Sequence, residues 1–225
     1  MGSATKSKRR FKIGWPTDDG VTAPEVDTSA VIDIQFDLQG KNVPIDHGYL
    51  LFLELSRVLP WIAIDDMVGI HPIHGAATEH GDIMLNHRAK LLIRIPKERM
   101  EDVLTLTGKE IQLGKHALKI GKGKSRALSL HTPLYAHCVT TGSANETVFA
   151  ADIIKILDAM NIATRFICGR RQSLTTSDGV VYGYSLMLHD IPIEHAFLVQ
   201  QQGLGSNRKL GCGIFIPHKS INALT

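Results

Sequence analysis

The stretch VIDIQFDLQGKNVPIDHGYLLFLELSRVLP, residues 31–60, decides the fold because its periodicity changes halfway along. Between Val31 and Gln39, Ile32, Ile34, Phe36 and Leu38 fall on one face, with Asp33, Gln35, Asp37 and Gln39 on the other. A period of two describes a half-buried strand, whose apolar face another element must cover. After the turn-forming GKNVP, Asp46 can cap a helix in which Leu51, Leu55, Val58 and Leu59 share one stripe, and Pro60 stops it. The first unit is therefore a strand followed by a helix.

Working outward, Val68 to Ile73 reads as a second strand and LLIRI (91–95) as a third, bounded by Pro96. A helix from Lys97 to Thr107 buries Met100, Val103 and Leu104, with Gly108 suited to a left-handed terminus. EIQLGKHALKIG (110–121) reads as one bent or hairpin-like strand, and the glycine-lysine stretch GKGKSRA (121–127) as a separator. A second cycle follows. LYAHCVTT is a strand, VFAADIIKILDAM a helix, and TRFICGRRQSLTT pairs with VVYGYSLML across the hairpin turn Ser177-Asp178-Gly179. PIEHAFLVQQQG is a helix with Pro192 near its first turn and Gly203 past its end; GCGIFIP is the last strand. The order β-α-β-β-α-β thus occurs twice, which predicts an α+β protein of two tandem ferredoxin-like (RRM-like) domains. The expected division is a basic N-terminal tail and lead-in at 1–29, a first domain at 30–121, a linker at 122–128 and a second domain at 129–225.

Composition narrows the class of partner. With 44% apolar and 21% charged residues and no apolar run near the roughly 20 of a membrane span, the chain reads as an ordinary globular protein without a membrane partner. Its start, MGSATKSKRRFK, is basic but lacks the apolar core of a secretory signal. Three cysteines, Cys138, Cys168 and Cys212, without CxxC spacing, fit reduced packing residues and a cytoplasmic location. The net charge of +3 is uneven: residues 1–107 hold 12 Lys and Arg against 15 Asp and Glu, and residues 108–225 hold 13 against 7. A basic second half suits a polyanion, although solvated lysines give similar counts.

The segment GLGSNRKLGCGIF (203–215) joins the last helix to the last strand. Its glycines can cap a helix and bend a strand. Alternatively, bare backbone at Gly203, Gly205, Gly211 and Gly213 can approach phosphate oxygens while Arg208 and Lys209 add charge-assisted contacts. No Ser or Thr follows Lys209, so this is not a nucleotide-triphosphate loop. The pattern of two Gly-apolar-Gly triplets enclosing five residues, SNRKL, before the final strand resembles the CRISPR-associated endoribonucleases of the RAMP superfamily. Those enzymes cut precursor CRISPR RNA within each repeat. VPIDHGYLLFLELSRVLPW (43–61) is similar to the first-helix region of a compact subgroup, and the order of elements agrees from residue 30 onward.

The resemblance implies metal-independent RNA cleavage without a cofactor, in which the ribose 2′-OH attacks the adjacent phosphate and leaves a 2′,3′-cyclic phosphate and a 5′-OH. One proton must be removed and another supplied, tasks that histidine suits near neutral pH. His47 occupies the family's place for that residue, and its position after Asp46 predicts a first-turn imidazole outside the apolar stripe, near the positive helix end. Tyr49 and Lys41 are candidate companions. The implied partners are CRISPR repeat RNA, mature guide RNA and other subunits of an effector complex. A non-catalytic RNA-binding subunit is the alternative.

Two further groups carry chemistry. HPIHGAATEH gives His71, His74 and His80 loose spacing that a metal-dependent phosphoesterase could use, with His87 beyond, but no HExxH or Cys/His zinc pattern occurs. No metal site is expected, and His74 is the second candidate for proton transfer. Arg170 and Arg171 lie on the predicted hairpin of the second domain, where they can meet RNA phosphates or face solvent. Lys115, Lys119, Lys122, Lys124 and Arg126 can extend the positive surface.

Overall fold

The computed structural model describes residues 30–218, so the basic tail expected at 1–29 lies outside the described residues. The first half runs through β1 (Val31–Gln39), β2 (Asn42–Pro44), α1 (Gly48–Val58), β3 (Gly69–Ile70), β4 (Ala76–Ala77), β5 (Asp82–Met84), β6 (Lys90–Pro96), α2 (Met100–Leu104), β7 (Glu110–Leu113) and β8 (His116–Ala127). The second runs through β9 (Leu134–Val139), α3 (Glu146–Ala159), β10 (Arg165–Thr176), β11 (Gly179–His189), α4 (Ile193–Gln202) and β12 (Ile216–Pro217).

One sheet has the order β3-β6-β1-β8-β7 and another β10-β11-β9-β12. Leaving aside β7, both place the strands of a β-α-β-β-α-β unit in the order second, third, first, fourth. This is the tandem ferredoxin-like α+β architecture that the element order implies. The alternation of β1 buries Ile32, Ile34 and Phe36 against Leu51 and Leu55 of α1 and Val103 of α2. In the second half, Leu134 and Ala136 of β9 and Leu186 of β11 pack on Phe149 and Ile153 of α3 and Ala196 and Val199 of α4. Asn145 caps α3 by accepting the N–H groups of Thr147 and Val148 at 2.9 and 3.2 Å. Leu59, before Pro60, is forced out of the helical region (φ −127°, ψ 83°), which ends α1.

Three local readings change. The helix expected over Lys97 to Thr107 is a 3-10 turn, Lys97–Arg99, leading into the five-residue α2. Residues 110–121 take the hairpin-like of the two forms expected, β7 pairing antiparallel with β8. The glycine-lysine stretch is no linker: β8 runs to Ala127, pairing Ala127 with Ile32 and Lys124 with Gln35, so residues 122–127 belong to the first sheet. Gly123 makes that strand possible, because a Cβ there would lie 2.5 Å from the Phe36 ring, while the alternate lysines point outward. The connection between the sheets is thus residues 128–133. Finally, β2, β5 and β4 form a small third sheet that the sequence pattern does not reveal.

Candidate active site

His47 lies at the N-cap of α1, not in its first turn, and it turns inward: only 4% of its surface is exposed. Its Nδ1 is 2.8 Å from the carbonyl oxygen of Pro44, at the end of β2, and its Nε2 is 2.9 Å from the backbone nitrogen of Ile73. A carbonyl can only accept and a peptide N–H can only donate. Nδ1 therefore carries the hydrogen, and the Nε2 lone pair receives the Ile73 N–H. Burial pushes the pKa of His47 below its ordinary value, partly opposed by the Pro44 and Ile45 carbonyls, so the neutral ring is favoured. Asp46 makes no cap. Its Oδ2 instead accepts the Thr175 N–H of β10 at 2.8 Å, tying the entrance of α1 to the second domain. Tyr49 is half-buried with its ring tilted toward Phe52 at 6.4 Å, and Lys41 is exposed in the turn between β1 and β2.

The Gly-rich loop is closed against itself. Gly203 and Gly213 have positive φ (73° and 66°), and a Cβ on Gly203 would lie 2.4 Å from the Gly213 carbonyl oxygen. The reciprocal Cβ on Gly213 would lie 2.3 Å from the Leu204 carbonyl oxygen. Gly205 faces the Thr140 carbonyl in the same close manner, while Gly211 packs less tightly, with the Pro72 ring 3.1 Å from its Cβ position. The N–H groups of Gly203, Leu204, Ser206, Leu210, Gly211, Cys212 and Gly213 all donate to backbone carbonyls of the chain. Bare backbone here serves close approach of peptide to peptide, and those seven donors do not point at a phosphate.

Arg208 and Lys209 are also turned inward. Lys209 Nζ donates to the Ala63 carbonyl at 2.8 Å and pairs with Asp66 at 3.2 Å, reaching across to the segment after α1. Arg208 enters the seam between the sheets, where burial and then the neighbouring Arg94 lower its pKa to about 10, with Asp33 opposing. That seam centres on Arg94, which is 1% exposed. Its guanidinium grips both Asp33 oxygens at 2.7 and 3.0 Å and donates to the carbonyls of Gln200 and Phe215 at 2.9 and 2.8 Å. Burial alone would raise the Asp33 pKa, but Arg94 and His71 hold it well below the usual carboxylate range. His71 sits 3.6 Å from Asp33 and is buried, and desolvation lowers its pKa. The sequence carried one sign of this cluster: a charged residue in the middle of the apolar run LLIRI.

The exposed cations lie elsewhere. Arg170 and Arg171 are exposed on the edge strand β10, beside a bulge between Cys168 and Arg171, and Arg171 stacks on Tyr182 at 4.1 Å. Lys115, Lys119, Lys122, Lys124 and Arg126 are exposed along and just before β8, Lys115 also 3.5 Å from Asp82.

A cleft between the domains is lined by His71, Pro72 and His74 from the first and by Tyr135, His137 and Gly211 from the second. His74 and His137 meet edge to face with ring centroids 6.5 Å apart, and each keeps an exposed face. Partial burial lowers both pKa values, and His74 lowers that of His137 further. In the sequence His137 carries no signal of its own, because it sits inside a strand pattern. Among the described residues, no group of three His, Cys, Asp or Glu side chains is arranged as metal ligands, so His71, His74 and His80 do not converge on one point. No helix among them is long and apolar enough to cross a membrane.

Comparison with known proteins agrees with this architecture. The family profile described as Cas6, Cas6 Crispr, matches residues 32–220. The CRISPR-associated endonuclease Cas6 of Myxococcus xanthus (strain DK1622) is 32% identical over 187 residues, covering 83% of this chain and 81% of its own. A solved CRISPR-associated protein Cas6 superposes with a TM-score of 0.61 at 12% identity, over 84% of this chain and 100% of the other. A RAMP protein described as binding different RNA substrates also reaches 0.61, at 10% identity and the same coverage. At such identities the two structures speak for the fold, whereas the family profile and the bacterial relative speak for the activity. The chain belongs to the Cas6 family of CRISPR-associated endoribonucleases, which process CRISPR RNA.

Proposed function

We propose that this protein cuts CRISPR repeat RNA without a metal ion, by attack of a ribose 2′-OH on the adjacent phosphate. The products are a 2′,3′-cyclic phosphate and a 5′-OH. The observation that carries the reading is the tautomer of His47: Pro44 holds Nδ1–H, so the proton-accepting lone pair lies at Nε2. In the free protein the Ile73 N–H occupies that lone pair. Displacing it leaves the buried Ile73 N–H without a partner, at a cost of about 1–3 kcal/mol, which is avoided when the 2′-oxygen that donates to Nε2 also accepts that N–H. His47 then removes the proton as the phosphorus–oxygen bond forms, Tyr49 flanks the entry, and Arg170, Arg171, Lys41 and the lysines of β8 hold the RNA backbone. Retention of the mature guide RNA and delivery to effector subunits extend the same reading.

A second reading, an RNA-binding subunit without catalysis, is favoured by the burial of His47 and the engagement of both its ring nitrogens. One experiment separates the two. The protein is incubated with repeat RNA in EDTA, with and without a single deoxyribose 5′ of the scissile phosphate, and product ends are identified. The expected result is a cyclic phosphate from normal RNA and an intact, bound deoxy-substituted RNA. Binding without cutting supports the second reading, and cutting that needs added magnesium refutes the mechanism.

A further inference from the structure

Cleavage by a 2′-OH needs two proton transfers, and His47 accounts for one. The departing 5′-oxygen would otherwise leave as an alkoxide, a poor leaving group. The cleft between the domains holds two imidazoles that the fold does not use. Among the described residues, neither His74 nor His137 makes a hydrogen bond or ion pair, and the aromatic neighbour of each is the other ring. This is unlike His47 and His71, which are tied into the surrounding backbone and charge cluster.

Both rings are delivered by specific local structure. His74 follows Ile73, whose N–H occupies the Nε2 of His47, so the segment that covers the proposed base also carries His74. His137 comes from β9 of the other domain. There, Tyr184 pairs with Val139 but Leu186 pairs with Ala136, so β9 carries an extra residue at 137–138. Leu134, Ala136 and Val139 all face the second core, leaving Tyr135 and His137 on the opposite face, toward the cleft. Bulges of this kind re-aim side chains next to active sites. The neighbouring positive charges, Arg94, Arg208 and Lys209, are buried or paired in the seam, so the two imidazoles and the Tyr135 hydroxyl are the proton carriers exposed in the lining of this cleft, and of these the imidazoles titrate nearer neutral pH.

We propose that His74 and His137 are the acid half of the catalytic site, a pair of which one ring at a time is protonated and delivers that proton to the 5′-oxygen of the scissile phosphate. The assignment rests on the 2′-OH mechanism proposed above. As the bond from O2′ to phosphorus forms, His47 takes the 2′-OH proton. As the bond from phosphorus to O5′ breaks, the imidazolium of the pair gives its proton to O5′ and becomes neutral. The product is the 5′-OH, and exchange with water returns the proton from His47 to the pair.

The test uses the full-length protein and two repeat RNAs, one normal and one with sulfur replacing the 5′-bridging oxygen at the scissile bond. A thiolate departs without a proton, so an enzyme lacking its acid recovers on that RNA while one lacking its base does not. His74→Asn and His137→Asn are each expected to slow cutting of normal RNA at least tenfold. The double variant should lose about 10²- to 10⁴-fold, the usual range for such a group. On the sulfur-containing RNA, all three should come within about threefold of the unsubstituted protein, whereas His47→Gln should remain slow. Affinity for uncleavable deoxy-substituted RNA should not change. Equal slowing on both RNAs, or normal cutting by the double variant, overturns the assignment. Failure of the unsubstituted protein to give a cyclic phosphate overturns the underlying mechanism and the assignment with it.

Discussion

Arg208–Lys209 and Arg170–Arg171 are two basic pairs of nearly identical appearance in the sequence, each on the approach to a strand or within one. Arg208 lies in the seam beside Arg94 and Asp33, and Lys209 reaches the Ala63 carbonyl and Asp66. Arg170 and Arg171 stand on an edge strand, exposed, with one guanidinium over Tyr182. One pair joins domains and the other is available to a polyanion. The difference teaches that charge in a Gly-rich loop says nothing of its direction. Glycine lets the chain fold tightly enough to carry a cation inward as readily as outward.

The comparison breaks most visibly at Arg94. Arg94→Ala would leave the Asp33 carboxylate buried without its partner and two carbonyls unmatched, a loss of about 3–5 kcal/mol. The thermal midpoint should fall by roughly 10 °C. A midpoint within 2–3 °C of the original would show that the seam does not hold the two sheets together.

Gly213→Ala should come next, because positive-φ strain of about 1–3 kcal/mol adds to a collision with the Leu204 carbonyl. A lower midpoint is expected in the absence of RNA. Full stability with weakened RNA binding would instead return the loop to the role of a phosphate cradle.

Acid probes the same interior more gently. His47 and His71 have folded pKa values below their unfolded value of about 6.5. As pH falls through that value the unfolded chain takes up protons that the folded protein resists, so stability decreases. Asp33, held well below the usual range, stays ionised and adds nothing to this window. The midpoint should therefore decline from pH 7 to 5.5, and less steeply in His47→Gln. An identical slope in that variant would assign the decline elsewhere.

The exposed pair is read through RNA. Arg170→Ala with Arg171→Ala should leave the thermal midpoint unchanged, weaken repeat binding, and reduce the salt slope by roughly 0.7–0.9 per lost phosphate contact. Arg208→Met, which removes a guanidinium with two buried unpartnered N–H atoms, should leave affinity and slope untouched. The reverse outcome would exchange the roles of the two pairs. A small effect on stability is expected for Lys209→Ala: its ion pair is with the fully exposed Asp66 and contributes little, so the loss is mainly that of the charged donor to the Ala63 carbonyl, about 1.5 kcal/mol. It is best seen as a shift in denaturant midpoint.

What the sequence by itself determined is the order of elements, and through it the architecture. The period of two in β1, the helical stripe of Leu51 and Leu55, Pro60 as a stop and the turn at Ser177-Asp178 are local facts, written within a few residues and read without a partner. The Gly-rich loop and the segment around His47 were likewise enough to point to the family. Even so, GKGKSRA has the composition of a separator and is a strand, because its two glycines mark close contact with Phe36 and Asp37, which lie more than 80 residues away in the chain. Tertiary structure alone decided the site. His47 is buried because Pro44 and Ile73 converge on its two nitrogens, and Asp46 serves β10 instead of α1. Arg94 gathers Asp33, Gln200 and Phe215 from three distant segments. The pairing of His74 with His137 likewise needed two domains and a bulge. Hydrogen bonds and charge pairs act over a few ångströms, and sequence separation carries no record of which groups the folded chain brings that close.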